Sequence, residues 1–396
     1  MLPASIQEIV KQYLPELVAI RRHIHQYPEL SFQEYNTAAF IRQQLTDKGI
    51  AYEEMATTAT IAYFQKPNQP TLALRADIDA LPIHEKNTAD YSSKIDGIMH
   101  ACGHDVHTTC LLGTLWVLKK LFPTSIIPLV GIFQLGEEKL PGGASILLEE
   151  GLIERFHIEK IVALHVEPAM PVGNIGFASG DYMASADEIY WKIKGKGGHG
   201  AMPDTTQDTV LAAAELVVAL QKISSRLAPP SIPTVLTIGK FIANGATNII
   251  PAEVCLEGTF RTMNESWRMQ AHEHIQNISA SIATMFHVEI EVTICKGYPV
   301  LINDDAFTTT CIQHTENALP SACIEKLSAR MTSEDFAFYS QLMPACFFRL
   351  GTRNETKNIV AGVHTPLFDI DEEAIQWGIY SLLAIVLGEN KELIVS

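Results

Sequence analysis

Three short apolar segments of the chain each end in polar residues, and helical patterns lie between them. They are TLALRADID at 71–79, IIPLVGIFQL at 126–135 and KIVALHVEP at 160–168. Strands that are buried on both faces have this composition, and they occur in sheets that helices cover. Because active sites in such sheets gather at the carboxyl ends of the strands, the polar residues there are the first candidates for chemistry.

Apolar residues recur with the period of an amphipathic helix in several other parts of the chain. These segments are 5–26, 33–48, 104–121, 204–226, 265–285, 304–318 and 371–388. Together with the apolar strands, they predict an α/β protein in which helices cover a mixed sheet.

The pattern changes after about residue 183. ADEIYWKIKGKG alternates as an antiparallel strand does, and a helix, two strands, a second helix and a last strand follow it. The order β-α-β-β-α-β is that of a ferredoxin-like α+β unit. Since the α/β pattern then resumes, we expect residues 1–183 and 298–396 to form one domain, with residues 184–297 inserted as a second. The length of 396 residues agrees with two domains.

Charge and cysteine usage exclude several classes of protein. Acidic residues outnumber basic ones by 45 to 29, and no run of Lys or Arg is longer than two residues, which argues against nucleic-acid binding. The seven cysteines are scattered without a C-x-x-C pair, which argues against a disulfide framework. With no signal-like N-terminus and no apolar run of about 18 residues, we expect a cytoplasmic protein without a membrane partner.

The densest group of candidate metal ligands is MHACGHDVHTT, residues 99–109. Cys102, His104, Asp105 and His107 lie within six positions, and a thiolate and an imidazole two residues apart can bind one ion. The same residues are compatible with the start of a helix, where Asp105 would lie near the positive end of the helix dipole. Taken alone, this segment leaves both interpretations open.

Glu137 and Glu138 follow FQLG at the end of an apolar strand. Two adjacent carboxylates at a buried strand end are costly unless a cation lies nearby. Their side chains point in different directions, so that one is able to bind a metal while the other faces water. A pair of surface glutamates is the alternative, which the strand-end position and the Leu-Pro-Gly-Gly turn that follows make less favourable.

Further candidate residues end strands or lie in a loop. His165 ends the strand in ALHVEP, where a lone histidine is more often a buried structural residue than a ligand. His364 lies in GVHTPLFDIDEE and, in isolation, is a loop histidine. Asp77 and Asp79 end ALRADID, and their alternation places both carboxylates on one side of the extended chain.

Together, these positions offer thiolate, imidazole and carboxylate ligands, a mixture that suits zinc or a similar transition ion. Five or more ligands exceed what one tetrahedral ion with an open coordination position needs, so two ions per chain are expected. Two such ions activate a water and polarise a carbonyl. A glutamate that is not a ligand would take the proton of that water and pass it to the leaving group.

The motifs of the chain resemble, essentially from end to end, the zinc aminoacylase and carboxypeptidase family of metallopeptidases. Within that family, the chain is most similar to the amidohydrolase branch of hippurate hydrolases, N-acyl amino acid amidohydrolases and plant auxin-conjugate hydrolases. The motifs that carry the resemblance are RRHIHQYPELSFQE (21–34), LRADIDALP (74–82), MHACGHDVH (99–107), GEEKLPGGA (136–144), LHVEP (164–168), GKGGHGAMP (195–203), NIIPAEV (248–254), GTFR (258–261), TSEDFAFY (332–339) and HTPLFDID (364–371).

The resemblance implies roles for individual residues. Glu137 matches the general base, and two divalent ions are implied, with zinc expected and manganese, cobalt or nickel as alternatives. Asp79 falls where other branches keep an aspartate that orients a metal-binding histidine. Because Asp77 stands in the place of that histidine, the resemblance leaves the role of Asp79 open. The residues that match metal ligands are Cys102, His104, Glu138, His165 and His364.

The resemblance also implies a role for the inserted domain, which in the family is a lid through which two subunits dimerise. His199 matches a lid histidine that reaches the active site of the other subunit and polarises the scissile carbonyl. Asn248 and Arg261 match positions associated with substrate binding, and the guanidinium fork of an arginine suits a free carboxylate. An ordinary strand arginine is the alternative for Arg261. A homodimer is therefore expected.

We expect a metal-dependent amidohydrolase that cleaves the amide bond of an N-acyl amino acid or a similar small conjugate, with Glu137 as general base. Deacetylation of N-acetyl-diaminopimelate is an alternative with the same chemistry, as is dipeptidase or carboxypeptidase activity. A different mechanism would use Cys102 as a nucleophile with a nearby histidine as base. A non-catalytic binding protein that has kept the fold is the remaining alternative.

Overall fold

The computed structural model describes residues 2–123, 127–319 and 323–390, and the chain divides into two compact units. Within the described ranges, no helix combines the length and the apolar composition that crossing a bilayer requires. The first unit comprises Met1–Gly180, Ile302–Ser328 and Phe338–Ser396. The second unit comprises Asp181–Leu301 and Ala329–Ala337.

Helices and strands are numbered separately along the chain. The helices are α1 (Ala4–Gln26), α2 (Tyr35–Asp47), α3 (His104–Leu121), α4 (Gly143–Glu149), α5 (Leu152–Phe156), α6 (Thr209–Leu220), α7 (Glu265–Phe286), α8 (Asp305–Ala318), α9 (Ala337–Ser340) and α10 (Glu373–Glu389). The strands are β1 (Ala51–Met55), β2 (Ala59–Tyr63), β3 (Thr71–Asp77), β4 (Leu129–Gln134), β5 (Ile158–Pro171), β6 (Ile175–Phe177), β7 (Gly180–Met183), β8 (Ser185–Lys194), β9 (Gly198–His199), β10 (Thr234–Ala243), β11 (Ile249–Ile250), β12 (Glu253–Thr262), β13 (Glu289–Lys296), β14 (Leu301–Asn303), β15 (Ile324–Lys326) and β16 (Ala345–Arg353).

A mixed sheet in the order β1-β2-β4-β3-β5-β16-β6-β15 forms the centre of the first unit. The inner strands β4, β3, β5 and β16 run parallel to one another, and β1 and β2 complete one side in antiparallel pairing. Every residue of β3 and β4 is buried, and α1, α3 and α10 pack against one another beside the sheet. The predicted helix-covered mixed sheet is confirmed; Ile126, at the start of one predicted strand, lies outside the described residues.

The second unit contains an antiparallel sheet in the order β10-β12-β8-β13. Helices α6 and α7 pack against it through a separate apolar core that includes Trp191, Leu216, Phe260 and Ile275. The chain passes through these elements as β8-α6-β10-β12-α7-β13. The predicted ferredoxin-like α+β fold of this part is therefore confirmed.

The helix that the sequence predicts over 204–226 is wrong at both ends. Pro203–Thr205 forms a 3₁₀ turn, and α6 begins only after Asp208, whose carboxylate accepts hydrogen bonds from the backbone N–H groups of Val210 and Leu211 (3.1 and 2.9 Å). Such a cap stabilises a helix start because the first backbone N–H groups of a helix have no partner within it. At the other end, Ile223–Leu227 is a π-helical turn.

The segment Ala329–Ala337 belongs to the second unit, whereas the sequence pattern predicts it in the first domain. Backbone hydrogen bonds explain the difference. Arg330 N donates to Tyr182 O (2.9 Å), and Ala184 N donates to Arg330 O (3.2 Å). Because these partners lie about 150 residues apart along the chain, no local pattern reveals the pairing.

Candidate metal centre

Five side chains that the sequence predicts as metal ligands lie close together in the first unit. Cys102 Sγ lies 3.4 Å from His165 Nε2 and 3.3 Å from His364 Nε2. Glu138 Oε1 lies 3.2 Å from His364 Nε2 and 3.9 Å from His104 Nε2. The donors come from the segment that leads into α3 and the first residue of that helix, the loop after β4, strand β5 and the loop before α10.

A glycine allows the sharp bend between the first two of these residues. Gly103 has φ +83°, and helix α3 begins at the next residue, His104. A Cβ atom at Gly103 would lie 2.5 Å from Val166 Cγ2. The chain therefore turns directly against β5, beside His165, in a conformation that a residue with a side chain would not fit.

Hydrogen bonds fix which nitrogen of two histidines faces the cluster. His104 Nδ1 donates to the backbone oxygen of Asp79 (2.8 Å), and His165 Nδ1 donates to the backbone oxygen of Val166 (2.8 Å). A carbonyl oxygen only accepts, so each Nδ1 carries a proton, and Nε2 is the nitrogen of each ring that is left to bind an ion. Histidine ligands of metals in proteins are oriented in this way.

Asp79, whose role the resemblance leaves open, contacts three parts of the site. Its Oδ1 lies 3.1 Å from His104 Nδ1, and its Oδ2 accepts hydrogen bonds from Ser31 Oγ (2.7 Å) and from the backbone N–H of Glu138 (3.0 Å). Asp79 thus orients His104 of α3. In other branches of the family it orients a strand histidine, and in this chain Asp77 stands in the place of that histidine. Burial would raise the pKa of Asp79, but the hydrogen bond and charge of His104, together with the hydrogen bonds from Ser31 and the Glu138 N–H, outweigh burial and lower the pKa.

His107 has both ring nitrogens in hydrogen bonds, so it is separate from the donor cluster. The backbone N–H of Val166 donates to His107 Nε2 (2.9 Å), and His107 Nδ1 therefore carries the proton and donates to Asp77 Oδ1 (2.6 Å). The other Asp77 oxygen accepts from Arg75 Nη1 (2.6 Å). This buried network ties the end of β3 to the backbone beside His165.

Asp105 connects α3 to α1 through buried contacts and does not face the donor cluster. Its Oδ2 lies 2.7 Å from Arg21 Nε and 2.8 Å from His25 Nδ1, and all three residues are buried. The helix-start interpretation of the sequence is thus correct for Asp105 in the first turn of α3. Arg21 and His25 had no role assigned from sequence, although the conspicuous segment RRHIHQYPELSFQE contains both.

The carboxylates around the cluster favour positive charge in it. Burial alone would lower the pKa of His104, but the Asp77 and Asp79 carboxylates outweigh burial and raise it to about 10. Burial, together with the Glu138 and Glu137 carboxylates, raises the pKa of the Cys102 thiol. The carboxylates that raise the pKa of His104 would also stabilise a cation bound beside it.

Two buried atoms of the cluster show that the residues fit a metal. His104 Nε2 and Glu138 Oε1 are shielded from solvent, and among the described residues neither makes a hydrogen bond of good geometry, although His364 Nε2 lies 3.2 Å from Glu138 Oε1. Unpartnered buried polar atoms are costly, and a divalent ion would satisfy both. The nitrogen, sulfur and carboxylate donors are those that zinc and similar ions bind.

Glu137 is buried next to these donors, with 6% of its surface exposed. One oxygen of Glu137, one oxygen of Glu138 and a ring nitrogen of His104 all lie within 4.8 Å of one another. The two adjacent glutamates therefore both lie beside the donor cluster.

The three other predicted site residues lie in the second unit. His199 ends the short strand β9 and pairs with Ile249, and Asn248 O accepts a hydrogen bond from Gly200 N (2.8 Å). His199 Nδ1 accepts from the backbone N–H of Ala201 (3.0 Å), so the proton of the neutral ring lies on Nε2. The structure thus makes His199 and Asn248 neighbours.

Arg261 lies in β12 of the same unit. Its Nη1 donates to Met331 O (3.2 Å) and Ser333 Oγ (3.3 Å), both in the segment that joins this unit from later in the chain. Burial lowers the pKa of the guanidinium. This arginine is therefore half-buried and held in place by hydrogen bonds within its own unit.

Curated relatives align with nearly the whole chain. N-acetyl-L-cysteine deacetylase of Bacillus subtilis is 36% identical over 397 residues, which cover 98% of this chain and 92% of that protein. IAA-amino acid hydrolase ILR1-like 4 of Arabidopsis thaliana is 35% identical over 387 residues, which cover 95% of this chain and 87% of that protein.

Solved structures share the fold. The crystal structure of the Bacillus subtilis YXEP protein, described as a dinuclear metal-binding peptidase of the M20 family, superposes with a TM-score of 0.79. It is 32% identical, and the match covers 96% of this chain and 99% of that one.

The sequence profile of Peptidase family M20/M25/M40 matches residues 73–388, which include every predicted metal ligand and the glutamate pair. The match spans well over half of the chain, and the relatives above carry deacetylase and hydrolase names. The chain is therefore a metal-dependent amide hydrolase of the amidohydrolase branch of Peptidase family M20/M25/M40.

Proposed function

We propose that the protein hydrolyses the amide bond of N-acyl amino acids or similar small conjugates. The observation that carries this proposal is the cluster of five thiolate, imidazole and carboxylate donors with buried Glu137 beside it. The names of the relatives from Bacillus subtilis and Arabidopsis thaliana, an N-acetyl-L-cysteine deacetylase and an IAA-amino acid hydrolase, denote substrates of this class.

Two divalent ions per chain are part of the proposal, with zinc the expected ion and manganese, cobalt or nickel as alternatives. When bound, such ions polarise the substrate carbonyl and lower the pKa of a water. The YXEP protein, described as dinuclear, supports the number. The residues that would hold the ions are Cys102, His104, Glu138, His165 and His364.

Glu137 acts as the general base in this proposal. Its carboxylate takes a proton from the attacking water and later gives that proton to the amine that leaves. In this proposal Glu138 would hold an ion, and Glu137 would take the proton. Asp79 keeps His104 in one tautomer through the hydrogen bond to its Nδ1.

The rival mechanism, with Cys102 as nucleophile, is less well supported by the electrostatics. A reactive cysteine has a lowered pKa, whereas burial and the two adjacent glutamates raise the pKa of the Cys102 thiol. The proximity of two histidines to its sulfur is equally expected for ligands of shared ions. The rival would be favoured if a thiol-alkylating reagent modified Cys102 itself in metal-free protein as fast as it modifies an ordinary exposed thiol.

A panel of substrates tests the proposed substrate class. We expect kcat/KM for N-acetyl and N-benzoyl amino acids to exceed that for dipeptides by about tenfold or more. The matched control is each N-acyl amino acid amide, which lacks the free carboxylate that Arg261 and Asn248 are proposed to bind. Faster turnover of dipeptides, or of N-acetyl-diaminopimelate alone, would replace the proposed substrate with the corresponding alternative.

We further propose that the second unit forms a homodimer and that His199 serves the active site of the partner subunit. Inactive Glu137→Gln and His199→Ala proteins should then regain activity when their subunits are mixed, to about a quarter of the wild-type rate if exchange is random. The control is each variant mixed with itself. Verified heterodimers without recovered activity would contradict the role of His199.

A further inference from the structure

A buried glutamate outside the donor cluster joins two distant parts of the chain. Glu34 is fully buried and immediately precedes α2 along the chain. It ends the motif 21–34, which has no role in the proposed reaction. Its Oε1 accepts hydrogen bonds from the backbone N–H groups of Phe32 (2.8 Å) and Gly136 (2.8 Å), and its Oε2 accepts one from Thr58 Oγ1 (2.9 Å). The donors are two backbone amides and one hydroxyl, and none of them carries a charge.

The two backbone residues that share this oxygen have the same uncommon conformation. Phe32 has φ +67° and Gly136 has φ +53°, so both lie in the left-handed region that residues with side chains seldom adopt. They also face each other, since a Cβ atom on Gly136 would lie 2.2 Å from Phe32 Cε1. One carboxylate oxygen therefore holds two left-handed turns together.

The position of Gly136 connects this contact to the chemistry. Gly136 immediately precedes the pair Glu137 and Glu138, so its conformation sets the direction in which both side chains leave the backbone. The same short segment reaches the site a second time, because Ser31 Oγ donates to Asp79 Oδ2, which also accepts the N–H of Glu138. Burying an ionisable group costs free energy, so a buried glutamate at this place calls for an explanation.

We propose that Glu34 is a positioning residue, which fixes the backbone at Gly136 and through it the carboxylate of Glu137. This inference rests on the proposed role of Glu137 as general base. Displacing a catalytic group by about 1 Å lowers the rate about a hundredfold, and the loss falls on kcat because substrate binding does not use Glu34.

Single variants separate positioning from a loss of stability. Glu34→Ala should lower kcat about a hundredfold and change KM by less than about threefold. Glu34→Gln keeps an oxygen that accepts both backbone N–H groups and an amide that donates to Thr58, so it should retain kcat within about fivefold of wild type. The matched control is Glu29→Ala, which removes the hydrogen bonds to Asn36 and Thr37 at the start of α2 but none to Gly136.

Glu29→Ala should lower the urea midpoint of unfolding and keep kcat within about threefold. A Glu34→Ala protein with nearly normal kcat would overturn the inference. The inference would also be overturned if Glu29→Ala lost as much kcat as Glu34→Ala at a similar loss of stability. A general weakening of the segment would then be sufficient to explain the loss of kcat.

A double variant tests whether Glu34 acts through Glu137. If it does, adding Glu34→Ala to Glu137→Gln should lower kcat by no more than about threefold further, whereas independent effects would multiply to about another hundredfold. A fully active Glu137→Gln protein would refute the general base itself. An inactive Glu137→Gln protein together with a fully active Glu34→Ala protein would refute only the positioning role.

Discussion

Glu137→Gln is expected to lower kcat by about a thousandfold or more while the metal content of the protein stays at the wild-type level. The amide that replaces the carboxylate is similar in shape, but it cannot accept a proton at neutral pH. The five proposed donors remain unchanged, so the site should still bind its ions. KM should change little, because the loss is confined to proton transfer.

The measurement is steady-state hydrolysis of an N-acyl amino acid, combined with elemental analysis of the same samples. Glu149→Gln is the matched control, since it makes the same chemical change at an exposed position at the end of α4 and should leave kcat within about twofold. A loss of only a few-fold in Glu137→Gln would remove Glu137 from its proposed role.

Removal of the divalent ions is expected to abolish hydrolysis and to lower the midpoint of thermal unfolding. Without ions, His104 Nε2 stays buried without a partner in hydrogen-bonding geometry, and the carboxylates of Glu137 and Glu138 remain close to each other in a poorly solvated site. An ion that binds only the folded state stabilises it by about 4 kcal/mol at a free concentration one thousand times its Kd. The loss on chelation should have a similar size.

Differential scanning calorimetry before and after chelation measures this loss. Glu137→Gln supplies the control, because it retains all five proposed donors and should lose as much stability on chelation as wild type despite its inactivity. An unchanged midpoint of thermal unfolding after verified removal of the ions would show that bound ions do not stabilise the folded protein.

The sequence predicts the fold and the main candidate residues because both depend on local patterns. Buried strands such as β3 and β4 have a continuous apolar composition, and the polar residues at strand ends point to the edge where a site can form. The helix over 204–226 is wrong because the capping carboxylate of Asp208, rather than the apolar pattern, determines where α6 begins.

The supporting contacts require the folded chain. The sequence places Asp77, Asp79 and His107 near the candidate ligands, but only their partners show that Asp79 orients His104 and that both nitrogens of His107 are already bonded. Glu34 is a still clearer case, because its partner Gly136 lies 102 positions away. No spacing rule connects residues whose contact depends on how loops meet.

Two divalent ions held by five side chains beside Glu137 form the core of the proposed site, and a metal titration tests it most directly. Chelated protein, verified as metal-free by elemental analysis, is supplied with zinc or manganese in steps while bound equivalents and hydrolysis of an N-acyl amino acid are recorded. We expect no hydrolysis without metal and a rate that rises until two equivalents per chain are bound. Full activity in the verified metal-free protein would contradict the proposed site.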